Sequence, residues 1–140
     1  MKPTIDAILT EFFGERRGSS PGLKQRRLRA LELRLRDYLE AEGDRILVTA
    51  DLELLASERQ FDPAGAFCRT MRAEDLVFAL LGFLERCVPD EAVDARLQLT
   101  TIEALMASLI RRGLIDQTGL ECILLDVSGA LRRGRAELRS

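Results

Sequence analysis

Apolar residues recur at spacings of three and four along almost the whole chain, and nowhere do they alternate long enough to mark a strand. The pattern predicts an all-α protein, a single-domain bundle of six or seven helices. A first helix, about Thr4 to Phe13, puts Ile5, Ile8, Leu9, Phe12 and Phe13 on one face and is expected to stop at Gly14. Gly18-Ser19-Ser20-Pro21-Gly22 reads as a loop that ends in a helix start, since serine suits a cap and the fixed φ of proline suits a first turn. The second helix, about Pro21 to Glu42, buries Leu28, Leu31, Leu35, Tyr38 and Leu39 and ends at Gly43.

Asp44 to Thr49 reads as a short extended connector. Thr49 is the expected cap of a third helix, with Asp51 in its first turn, where the partial positive charge of a helix N-terminus favours an acid. Asp62-Pro63 restarts a short helix through about Arg69, and Thr70 or Arg72 opens the next, which breaks before Pro89. That helix, about residues 72–87, is apolar on nearly every side. It is expected to be central, with Phe78, Leu80, Leu81 and Leu84 among the most buried residues. Asp90 caps the following segment, and the capping-box pattern Thr100-Thr101-Ile102-Glu103 divides it into two helices, 91–99 and 101–112, the second closed by Gly113. A further capping box, Thr118-Gly119-Leu120-Glu121, opens a last helix with Leu120, Ile123, Leu124, Val127 and Leu131 on one face, and the basic tail 132–140 is expected to fray.

Composition then removes chemistry. The 140 residues are enough for one core, but they include no histidine, the usual general base and metal ligand. A Ser-His-Asp or Cys-His nucleophile is therefore excluded. Lys2 and Lys24 are the only lysines, and neither sits in a GxxxxGK phosphate loop. Cys68, Cys87 and Cys122 form no CxxC pair and read as buried free thiols of a reducing, cytoplasmic compartment. The acids of Glu74-Asp75 and Asp90-Glu91-Asp94 fall in expected first turns and serve helix ends there. No catalytic residue, metal site or cofactor is expected, and the chain reads as a non-enzyme. Asp6 and Glu11 interrupt the N-terminal apolar positions, which argues against a secretory signal, and the apolar run Leu76 to Leu84 is far short of the roughly 20 residues that span a bilayer, so no membrane role is expected.

The net charge of −2 conceals a local asymmetry. Gly14 to Arg36 holds eight bases and two acids, Asp37 to Asp62 holds eight acids and two bases, and the tail adds four arginines against one glutamate. On the second helix Arg27 and Arg34 border one side of the buried stripe and Arg29 and Arg36 the other, with Lys24 near the stripe and Arg26 outward beside Leu33. Together with Arg16, Arg17 and Ser20 of the preceding segment, these residues make a candidate footprint for a polyanion, since guanidinium groups pair with phosphate in bidentate fashion. All six phenylalanines sit on apolar faces, so base stacking is not expected and the backbone of a duplex is the favoured target.

Residues 4–87 resemble the SAM-like N-terminal core-binding domain of tyrosine recombinases. The likeness lies in the opening helix with Ile8-Leu9 and Phe12-Phe13, then Ser20-Pro21, a basic helix with Arg27, Leu31, Leu35 and Tyr38-Leu39, and the connector Val48-Thr49-Ala50-Asp51-Leu52. The resemblance implies a module that clamps duplex DNA, with Ser20, Lys24 and Arg27 near the backbone. Residues 90–140 do not resemble the recombinase catalytic domain, so the implied role is binding without cleavage. Duplex DNA is thus the first expected partner and an acidic protein surface the second. The alternative is a helical adaptor or homodimerisation module that uses Leu33 or Leu125, apolar residues outside their main stripes.

Overall fold

The computed structural model describes residues 2–139, and these form seven α-helices, one 3-10 turn and no strand. Met1 and Ser140 lie outside the described residues. The chain divides into two compact units, 1–79 and 80–140, with the division inside the fifth helix.

In the first unit, α1 (Ile5–Gly18) begins at Thr4, whose hydroxyl accepts from Ala7 N at 3.2 Å. Gly14 does not stop it. One helical glycine costs about 1 kcal/mol, and the turn beyond it is held by Arg16 over the Phe12 ring and by an Arg17–Glu32 ion pair. The second helix, α2 (Gly22–Glu42), has Pro21 as its cap position, and Ser20 does not cap it, because that hydroxyl donates back to Arg16 O at 2.7 Å. The expected stripe of Leu28, Leu31, Leu35, Tyr38 and Leu39 is buried. The connector is half helical, a 3-10 turn over Gly43–Ile46 followed by extended Leu47 and Val48.

Thr49 is the first residue of α3 (Thr49–Phe61) and Val48 holds the cap position, so Thr49 does not cap. The short helix runs over Ala66–Thr70 (α4), later than Pro63, behind Gly65 at φ +73°. Glu40 receives it: Phe67 N and Cys68 N donate to the two carboxylate oxygens at 2.9 and 3.1 Å. The Phe67 ring then lies so close to Gly43 that a Cβ there would collide with it. Arg59 ties α3 to the same corner, donating to both Asp44 oxygens and to Glu40 O at 2.9–3.0 Å. Ile5 N donates to Met71 O at 2.9 Å, which brings the start of α1 to the end of α4.

The fifth helix, α5 (Ala73–Arg86), opens where Asp75 accepts from Arg72 N at 3.1 Å. Leu76, Val77, Leu80, Phe83 and Leu84 are buried, but Leu81 is only half-buried and Phe78 is 42 % exposed, against expectation. Both lie on one stripe with Glu74 and Glu85, and these terminal acids keep that stripe toward water.

In the second unit, residues 91–112 are not two helices: α6 (Ala92–Arg111) passes straight through Thr100 and Thr101. Leu99, Ile102, Leu105, Met106 and Leu109 form one uninterrupted buried stripe across that point, and its packing overrides the local capping tendency. Thr101 is wholly buried, and its hydroxyl has no hydrogen-bond partner among the described residues. Gly113, at φ +67°, ends α6 with Gly113 N donating to Ile110 O and Leu114 N to Leu109 O, the left-handed closure that glycine favours. The start of α7 (Glu121–Arg139) is organised by Asp116, which accepts from Thr118 N at 3.1 Å and, through its carbonyl, from Leu120 N at 3.0 Å; Thr118 is not the cap. The basic tail is helical through Arg139, held by two bonds from Arg135 to Glu103 at 3.0 and 2.8 Å and by Gly134 packing on Leu99.

The cysteines divide by environment. Cys68 is buried, and desolvation together with the neighbouring Glu40 carboxylate pushes its thiol up to about 12. Cys87 is half-buried and Cys122 exposed, so the expectation of three core thiols holds for Cys68 alone. A maleimide at neutral pH should therefore label Cys122 first and reach Cys68 only in denaturant, as read by mass spectrometry of the peptides. Glu40→Ala should lower stability by about 2 kcal/mol or more in urea titration, since a charged acceptor of two backbone N–H groups is lost.

Candidate functional site

Glu32 decides how much of the basic segment is available. Half-buried on α2, it pairs with Arg17 of α1 and accepts from Arg36 Nε at 2.9 Å. Arg36 also donates to Asp6 Oδ1 at 2.7 Å and to Thr10 Oγ1 at 3.1 Å, so its guanidinium is spent on joining α2 to α1. Burial works against its charge, but the bonds to Asp6 and Glu32 outweigh that and hold its pKa above the ordinary arginine value. Two arginines and two acids close a neutral cluster.

The other expected residues fall into three groups. Arg16 stacks on Phe12 with its guanidinium carbon 5.3 Å from the ring centre, and Ser20 is turned back on the Arg16 carbonyl. Arg27 and Arg34 are half-buried beside the apolar stripe, and each has interactions within the chain. Lys24, Arg26 and Arg29 are exposed on the N-terminal half of α2, and none meets a carboxylate among the described residues. Pro21 supplies no side-chain cap to that helix, and its first turn holds no acid. The nine residues expected together are thus spread along the α1–α2 pair, since Arg36 reaches Asp6 in the first turn of α1 while Arg16, Arg17 and Ser20 lie at its other end, and Lys24, Arg26 and Arg29 are the exposed cations of α2 that meet no carboxylate among the described residues.

The sequence reading missed an outward face on α3. Leu55 is the buried side chain of this helix, while Leu54 is 51 % and Phe61 89 % exposed, so Phe61, like Phe78, is not on a buried face. The available signal was an excess of apolar residues: Leu54 and Phe61, seven apart, cannot share the stripe of Leu55.

Elsewhere the acids serve the fold. Burial, with Asp51 and Glu74 adding to it, holds Asp75 above the usual carboxylate range, while the bond from Arg135 holds Glu103 below it. Among the described residues no three metal-ligating side chains come together. The second unit has a cavity of about 290 Å³ among Leu84, Gln98, Leu99 and Gly134, at the lower limit of small-molecule sites. No described helix is long and apolar enough to cross a membrane.

No family model, no curated protein and no solved structure matches this chain.

The geometry separates structural from available arginines. Arg36→Ala should cost about 2 kcal/mol of unfolding free energy because it leaves Asp6 and half-buried Glu32 short of a partner, whereas Arg29→Ala should stay within about 0.5 kcal/mol; chemical denaturation monitored by circular dichroism reads both.

Proposed function

We propose that this chain is a non-catalytic binding protein whose second helix docks on the phosphate backbone of duplex DNA. The observation that carries the reading is the uncompensated set Lys24, Arg26 and Arg29 at a helix N-terminus that has neither a side-chain cap nor a first-turn acid. Free N–H groups and the helix dipole there favour a phosphate, and the two guanidinium groups add bidentate donors. The reading agrees with the resemblance to a recombinase core-binding domain at Lys24, and it moves the weight from Arg27 and Ser20 to Arg26 and Arg29. A cytoplasmic setting follows from it.

The remaining charge is modest, so binding should be weak and strongly dependent on salt. With three cations neutralising phosphates, the logarithm of the duplex affinity should fall against the logarithm of salt concentration with a slope of about −2.7, from about 0.9 per phosphate. Arg26→Glu with Arg29→Glu should abolish the affinity and leave the helical circular-dichroism signal unchanged, because both side chains are exposed. Anisotropy of labelled duplex measures this; no affinity at low salt, or a slope near zero, transfers the role to an acidic protein surface.

A further inference from the structure

The second unit carries two hollows with a common wall, since Leu99 of α6 and Leu138 of α7 line both. The first is the cavity of about 290 Å³, whose further lining includes Leu84, Val88 and Ala95. Val88 is 59 % exposed there, an apolar side chain left in water at the edge of an apolar space. Gln98 lines the same cavity and is almost wholly buried; its Nε2 donates to Cys87 O at 2.8 Å, which fixes the wall by tying α6 to the chain just beyond α5.

The second hollow, about 270 Å³, is basic. Besides the two leucines it is lined by Arg96 and Thr100 of α6 and by Arg135 and Arg139 of α7, and no acid lines it among the described residues. Arg135 gives both terminal nitrogens to Glu103, so the charge here rests on Arg96 and Arg139, which are exposed and meet no carboxylate among the described residues. The first hollow has the opposite balance, with Glu85 and Glu137 against Arg133, and does not favour an anion. A basic hollow beside an apolar one suits a ligand with a charged head and an apolar tail.

We infer that the second unit binds a small amphipathic anion, a carboxylate on a single alkyl chain, with its head between Arg96 and Arg139 and its tail along Leu99 and Leu138 into the cavity. Guanidinium groups from two helices and the Thr100 hydroxyl supply donors for the head. A cavity at the lower limit of small-molecule sites holds one chain and excludes a two-chain lipid.

The test titrates the whole chain with hexanoate, octanoate and decanoate at neutral pH by calorimetry, without nucleic acid; the site lies outside α2, so its failure and that of the duplex reading are separate results. Affinity should rise about fourfold for each methylene that enters the cavity. Decanol, which has the tail without the charge, should bind roughly tenfold more weakly than decanoate, and inorganic phosphate should not displace decanoate. Arg96→Glu with Arg139→Glu, both at exposed positions, should keep the helical signal and weaken decanoate roughly tenfold or more. Val88→Asp, also exposed, should keep the helical signal and flatten the rise with chain length. Absence of decanoate binding, affinity that ignores chain length, or either variant binding like the wild type overturns the inference. So does displacement by inorganic phosphate, which means an anion site without a tail, or binding to anionic phospholipid vesicles in place of decanoate, which means a lipid surface.

Discussion

The first unit depends on one carboxylate. The five-residue helix α4 is too short to be stable alone, and Gly65 before it offers no side chain to its first N–H groups. Glu40, one helix away, accepts two of them. That bond seats Phe67 against Gly43, where only a glycine leaves room for the ring, and it sets the Met71 carbonyl where Ile5 N can reach it. The same corner receives Arg59 of α3 through Asp44 and the Glu40 carbonyl, so α2, α3 and α4 meet at residues 40–44. Burial, with Glu40 adding to it, raises the thiol pKa of Cys68, so the residue that organises this corner also disfavours the thiolate of a buried cysteine.

A second constraint is electrostatic. A segment with eight bases and two acids cannot place every guanidinium in water and still pack two helices, because the stems must cross the core edge. The chain resolves this with Glu32, which takes Arg17 and Arg36 together, while Asp6 takes the rest of Arg36. Half-buried pairs of this kind lose more when one member is removed than exposed pairs do, and they are little screened by salt. Lys24, Arg26 and Arg29 therefore remain without a carboxylate among the described residues, in a segment, Gly14 to Arg36, that holds eight bases and two acids.

Periodicity predicted the all-α class and most buried stripes because the apolar residues of α1, α2 and α7 keep strict helical spacing. Helix ends were less legible. Gly14, Ser20, Thr49, Thr100 and Thr118 each carry a local stop or cap tendency worth about 1 kcal/mol, and none of them sets a helix end in the structure. The candidate site was legible as a segment and not as a set of residues, because the pairing of Arg36 with Asp6 joins positions thirty apart in the chain. The outward stripe of α3 was hidden for a related reason: Leu52, Leu54, Leu55 and Phe61 are all apolar, and only the packed structure shows that Leu55 alone is fully buried.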